Sequence, residues 1–224
     1  MREEKQMSDT FLNCSFLALS GGFQDAYTYF VRDGVFSNAQ TGNVILMSQH
    51  LMVGEWMQGL RYLFPLIAFV LGVFCAERIQ NRFQFAQKLH WRQGILVLEM
   101  IILFSVGFMP EAWNLIATSL VSFACAMQVQ AFRKVNGYAY ASTMCIGNLR
   151  SGTAAFSVYL REKRKENLKQ AMYYFGIIAV FAIGAGIGGN LSLRFGMRTV
   201  WCCDILLMIS FLLMGKKKHS MRRK

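Results

Sequence analysis

Gln24 and Asp25 put an amide and a carboxylate side by side inside Gly21-Gly22-Phe23-Gln24-Asp25-Ala26, a segment with no other polar side chain. A carboxylate at the centre of a membrane helix costs about 2.5–3.5 kcal/mol on insertion scales, so it marks a functional site by default. Asp25 offers charge to a cation, a proton or a polar solute. Gln24 points about 100° away around the helix and offers both a donor and an acceptor. A short polar stretch follows, Gln40-Thr41-Gly42-Asn43, read here as a turn entering the next apolar segment. The pattern returns as Ala126-Met127-Gln128-Val129-Gln130 and then Ile146-Gly147-Asn148, with Gln128 standing 104 positions after Gln24. Substrate or pathway candidates are therefore Gln24, Asp25, Thr41, Gly42, Asn43, Gln128, Gly147 and Asn148.

A second pair of acids, Glu99 and Asp204, is 105 positions apart, and each lies about one and a half turns from its helix start. Their expected chemistry is proton or cation coupling; the competing reading is a carboxylate hydrogen-bonded to a neighbouring helix or reaching the interface. Arg150 is the natural buried cation of the second half, placed to pair with Asp25 or Glu99 or to hold an anion, or else to snorkel from a shallow element. No Ser/His/Asp or Cys/His arrangement is present, and His50, His90 and His219 all fall at or near segment ends. The six cysteines lie in apolar stretches without CxxC spacing and read as small reduced hydrophobes. No enzymatic activity, metal or cofactor is expected.

These residues need a bilayer around them. Of the 224 residues 54% are hydrophobic and 16% charged, against about 25% charged in an ordinary soluble domain. Mean hydropathy is +0.33. The net charge of +12 clusters between apolar runs, at Arg78 to Arg92, Arg161 to Lys169 and Lys216 to Lys224. That distribution follows the positive-inside rule and argues against a nucleic-acid partner.

A spanning helix needs about 20 mainly apolar residues. Eight apolar elements are expected, over 11–31, 44–56, 62–76 (extending back to Leu60), 94–108, 113–131, 143–160, 171–191 and 199–214. Pro65 falls near the start of the third, where proline is best tolerated. Residues 77–92 read as a basic connection with Phe83, Phe85, Leu89 and Trp91 as interfacial anchors. The runs are too long and continuous for barrel strands. The first is a retained helix, since no small-residue cleavage site follows it. Gly184, Gly186, Gly188 and Gly189 predict a close helix contact.

Eight crossings would break the positive-inside rule at least twice. Six crossings, with the second and sixth elements entering and leaving on one side, keep Glu77–Arg92, Arg133-Lys134, Arg161–Lys169 and the tail on the inner side. Each half then holds three spans, and the second half is inverted. Inverted repeats with interrupted helices meeting near the midplane are a recurrent transporter architecture. The amides of a half-helix there face a polar or anionic ligand.

Gly22-x-x-Asp25-Ala26, Phe36 and Thr41-Gly42-Asn43 together resemble the YoaK-like family of uncharacterised bacterial integral membrane proteins. Ala126-Met127-Gln128, Arg133, Gly137 and Gly147 resemble a weakened form of that family's GMQNA and TGT motifs, and Glu99 falls where such proteins tend to carry an acid. The departures are Ala126 and Val129, where that second motif has Gly and Asn, and Ile146, where it has Thr; the second copy also lacks an acid, which makes Asp25 the asymmetric feature. The resemblance covers nearly the whole chain and implies a multi-pass protein of the bacterial cytoplasmic (inner) membrane.

The sequence thus predicts an all-α polytopic membrane helix bundle. It has about six full spans, two short or re-entrant helices and two inverted repeats, over about 11–109 and 113–214. The whole forms one integral membrane domain, with a basic tail at 215–224 and both termini cytoplasmic. The expected function is a transporter or permease-like carrier of a small polar or ionic solute. The alternative is a non-transporting sensor or partner-supporting subunit. Expected partners are the bilayer, that solute or ion and, as an open alternative, further copies in a homo-oligomer.

Overall fold

Helix α1 (Phe11–Val31) is buried on every side from Ser20 to Thr28. Its N-terminus is capped by the Thr10 hydroxyl, which accepts from the Asn13 amide at 3.4 Å. A helix buried all round is a central helix, and the rest of the bundle is wrapped about it. A computed structural model describes residues 7–83 and 90–220. Phe85, Leu89 and the last four residues of the basic tail lie outside the described residues.

The other helices are α2 (Gln40–Met52), α3 (Trp56–Phe83), α4 (Trp91–Val106), α5 (Asn114–Ala131), α6 (Cys145–Glu162), α7 (Lys165–Phe195) and α8 (Trp201–Ser220). Three stretches are long and apolar enough to cross a membrane by length and composition: Trp56–Phe83, Glu111–Ala131 and Lys165–Gly215. Phe64, Ile67, Val70, Leu71 and Phe74 of α3, and Ile183, Ile187 and Leu193 of α7, face outward. Such an apolar exterior needs lipid around it. α2, with 13 residues, is about 20 Å long, too short for a hydrocarbon core of about 30 Å.

The packing comes in matching pairs. α1 lies on α7 and α3 on α5; α2 lies on α3 and α6 on α7; α4 lies on α5 and α8 on α1; α4 and α8 also touch each other. Small residues set the closest approaches. A Cβ on Gly22 would overlap the Phe181 carbonyl of α7, one on Gly184 would overlap the Leu19 carbonyl, and one on Gly72 would overlap the Phe123 carbonyl of α5. Gly184, Gly188 and Gly189 of α7 meet α1 as their spacing predicts, whereas Gly186 meets nothing within 4 Å.

Interactions gather at two ends. At one, Arg92 bonds Ser8, Asp9 and the Ala131 carbonyl, Arg133 pairs with Glu77, and the Asn136 amide reaches the Asp9 carbonyl. At the other, Arg61 pairs with Asp33 at 2.8 Å, and Arg32 reaches the carbonyls of Val106 and Pro110.

Several boundaries differ from the sequence reading. α2 starts at Gln40 and α6 at Cys145, so Gln40-Thr41-Gly42-Asn43 and Ile146-Gly147-Asn148 are first helical turns rather than turns before a helix. α3 begins at Trp56, because Gly59 lets its first turns lie against Leu51 of α2; Pro65 is consequently interior. The charged connection Arg161–Lys169 is mostly helix. Only Lys163 and Arg164 separate α6 from α7, and Lys163 takes φ 55 to make the corner. Asn136-Gly137, with φ 48 and 92, turns a two-strand hairpin of β1 (Lys134–Val135) and β2 (Tyr138–Ala139). Asn-Gly is the usual signal for that type of turn.

Candidate functional site

The chain leaves α1 at Arg32 and reverses through Asp33 and Gly34, at φ 65 and 69. It then runs back along α1 rather than away from it. Ser37 Oγ donates to Asp25 Oδ1 at 3.1 Å, the Asn38 amide donates to the same oxygen at 2.7 Å, and Asn38 Nδ2 donates to the Gly21 carbonyl at 3.2 Å. Gly21 precedes Arg32 by eleven residues, so the segment returns about 16 Å along the helix. There α2 begins, and it leads back to the end it came from, where Arg61 meets Asp33. Gln40 Nε2 and the Ser37 carbonyl both meet Ser122 Oγ of α5, at 2.8 and 3.1 Å.

A second reversal follows α5, at the end where Asp9 lies. Beyond α5 the hairpin sits by Asp9 and Cys14, and the Ala139 carbonyl accepts from the Tyr174 hydroxyl. Gln128 Nε2 donates to Ser142 Oγ at 3.1 Å, and the Thr143 methyl group fills the space beside Gly21. There α6 begins, and it returns to the Asp9 end. Cys145, its first residue, is within electrostatic reach of Asp25. Gly21 thus touches both breaks, Asn38 through its carbonyl and Thr143 through its bare Cα.

Each break is held by the same clasp. Asn43 Oδ1 accepts from the Phe36 amide at 3.0 Å while its Nδ2 donates to the Phe36 carbonyl at 2.7 Å. Asn148 does the same to Ala141, at 3.3 and 2.7 Å. Both asparagines are buried and span seven residues. An amide is the side chain that can satisfy one backbone donor and one acceptor together.

Asp25 and Gln128 play matching parts, each bonded to the serine of its own break, Ser37 or Ser142. One is a carboxylate and the other an amide, so the two halves differ by one charge at this place. Gln24 points elsewhere. It is fully buried and donates to Glu99 Oε1 at 3.1 Å and Ser20 Oγ at 3.0 Å, while the Cys125 thiol donates to its Oε1. α4 and α8 bring Asp204 within electrostatic range of Glu99.

Among the described residues, several buried oxygens at the breaks have no partner: Asn38 Oδ1, Thr143 Oγ1 and Gln128 Oε1. Unsatisfied buried polar atoms are uncommon and call for a ligand or water. No group of three metal-ligating side chains occurs among the described residues.

Not every predicted site residue joins this centre. Arg150 is exposed on the outer face of α6, beside Ile146, Leu149 and Thr153. It pairs with neither Asp25 nor Glu99, because the inward face of α6 is the one carrying Asn148, Gly152 and Ala155. Thr41 and Gly147 are exposed, and Gly42 lies against the Phe36 ring. Among the described residues the buried cation is Arg32, whose guanidinium bonds the Tyr27 hydroxyl, Asn114 Oδ1 and the Val106 carbonyl at 2.8 to 2.9 Å. Sequence reasoning took it only as a helix terminator. Ser37-Asn38 and Ser142-Thr143 were also missed, although they precede Asn43 and Asn148 by the same spacing.

A family model described as "Protein of unknown function (DUF1275)" matches residues 14–213. The chain is similar to the UPF0700 transmembrane protein YoaK of Bacillus subtilis (strain 168), at 26% identity over 220 residues, covering 92% of this chain and 94% of that protein. No solved structure matches. An integral membrane assignment agrees with the lipid-facing helices of the fold.

Proposed function

The chain belongs to the DUF1275 family, and on that premise we propose that it is a carrier of a small polar or ionic solute rather than an enzyme. In this reading it sits in the bacterial cytoplasmic membrane with both termini cytoplasmic. It has six full spans, and α2 and α6 are re-entrant elements of two inverted repeats. The paired packing of α1 with α7 and α3 with α5, and the twin asparagine clasps, support the repeats. Charge supports the orientation. Arg78, Arg82, Arg92, Arg133, Lys134 and the Lys163–Lys169 corner belong to the Asp9 end, while the other end carries Asp33, Glu55 and Glu111 with fewer bases, Arg32, Arg61, Arg194 and Arg198.

The observation that carries the proposal is the meeting of two helix breaks from opposite ends beside Gly21 and Asp25, with unpartnered oxygens there. Non-helical backbone at membrane depth survives only when buried in protein or lining water. Helix N-termini at such breaks are where carriers hold their substrates. Asp25, Asn38, Gln128 and Thr143 are the binding groups in this reading. Gln24, Asn43 and Asn148 shape the site, and Thr41, Gly42 and Gly147 form the first turns of the two half-helices.

Purified protein tested by thermal shift against a panel of small solutes, and then in liposomes for uptake, provides the check. A solute should stabilise the protein, and Asp25→Asn should weaken that effect at least tenfold in solute concentration, the equivalent of about 1.4 kcal/mol. If no solute or ion stabilises the protein and Asp25→Asn changes nothing, the carrier reading gives way to a non-transporting role.

A further inference from the structure

The fully buried Glu99 has one oxygen bonded to Gln24 and the other, Oε2, without a partner. Asp204 lies across the α4–α8 contact, and neither of its carboxyl oxygens has a partner. The groups facing them make this unusual. On α5 it is the Cys125 thiol, on α8 Cys203 beside Asp204 itself, and on α1 the amide of Gln24 with Asp25 following it. Every titratable group in that set is acidic. The buried guanidinium of Arg32 is committed to Tyr27, Asn114 and the backbone at the end of α4.

Burying an unpaired carboxylate such as Glu99 is prohibitive, and Asp204, half-buried beside it, adds a second negative charge, so the pair needs a proton or a cation. A metal cation is a poor occupant. Hard cations take six or more oxygens, whereas Glu99 bonds one amide, that of Gln24, sits on a helix whose Ile95, Leu96 and Leu103 belong to the apolar core, and is part of no group of three metal-ligating side chains among the described residues. A proton needs only one oxygen and leaves the other lone pairs little poorer.

We propose that Glu99 and Asp204 form a proton-exchange site at the contact between the two halves of the bundle, linked to the solute site through Gln24. A hydronium ion gives its proton to an Asp204 oxygen, forming an O–H bond there and leaving as water. That bond breaks as an O–H forms on Glu99 Oε2, so one negative charge passes from Glu99 to Asp204 while the total stays constant. Gln24, bonded to Glu99 on one side and carried on the same helix as Asp25, moves with whichever form Glu99 takes. Proton binding itself does not depend on the carrier reading; only the coupling of the proton to solute movement rests on it.

The test is infrared difference spectroscopy of the purified full-length protein across a pH series, in light and heavy water, alongside uptake in liposomes. A carboxylic acid C=O band should titrate and shift on deuteration. Glu99→Gln should remove it, Asp204→Asn should displace its titration by at least tenfold in proton concentration, and sodium should leave it unmoved. A pH gradient should drive uptake in wild type, and Glu99→Gln should reduce that uptake at least tenfold. The site is overturned if no such band exists, if it survives Glu99→Gln, or if sodium displaces it. Should Glu99→Gln fail to fold, the Asp204→Asn titration decides alone. A titrating band without any solute uptake would keep the proton site and refute the carrier.

Discussion

Removing either asparagine clasp gives the most direct test of how the two breaks are held. Asn43→Ala strips the Phe36 amide of its acceptor at 3.0 Å and the Phe36 carbonyl of its donor at 2.7 Å. A buried backbone group left unpaired costs about 1–3 kcal/mol, so two such groups set a range of roughly 2–6. Phe36 is only half-buried, and water reaching it brings the expected loss to about 2–4 kcal/mol. At about 2–4 °C per kcal/mol for a chain of this size, the unfolding midpoint should fall by roughly 4–16 °C. Asn148→Ala should fall in the lower half of that range, since its amide contact is longer at 3.3 Å. Asn43→Asp keeps the acceptor but sets an oxygen against the Phe36 carbonyl, so it should cost at least as much as alanine. The assay is built into the molecule. Its cysteines are free, and Cys14, Cys125 and Cys203 are buried, so a thiol-reactive dye in detergent reports unfolding directly. If both alanine variants unfold with wild type, or only one is affected, the two breaks are not held by equivalent clasps.

Arg32→Gln should destabilise by about 3–5 kcal/mol in the same dye assay, because it leaves the Tyr27 hydroxyl, Asn114 and the end of α4 without their shared donor; Arg32→Lys should recover only part, as an ammonium cannot reproduce the fork. Gly22→Val should push α1 from α7 and cost about 1–3 kcal/mol, whereas Gly186→Ala, which meets nothing within 4 Å, should raise stability by about 0.5–1 kcal/mol in the same melts. Met57→Cys and Arg164→Cys, in a protein with Cys75, Cys145 and Cys202 replaced by alanine, should label from opposite sides of intact cells; labelling from one side refutes the inverted arrangement.

The sequence by itself determined the class of molecule. Apolar runs, sparse charge and basic clusters between them fix an all-helical membrane protein, because backbone in lipid must satisfy its own hydrogen bonds. It also located Asp25, Gln24, Gln128, Glu99 and Asp204, since polar side chains in apolar runs are visible without coordinates. Tertiary structure decided what those residues meet. The Thr41-Gly42-Asn43 and Ile146-Gly147-Asn148 stretches look like turns because glycine and asparagine are turn formers. They become first helical turns because each asparagine reaches back seven residues to hold the preceding strand of chain. Arg150 looks like the buried cation because it lies in an apolar element, yet the face of α6 on which it falls is set by packing on α7, which turns it outward. Arg32 looks like a helix terminator, and only the approach of α4 and α5 encloses it. One-dimensional polarity says which groups are costly to bury; the folding of the chain back beside Gly21 decides which of them are buried together.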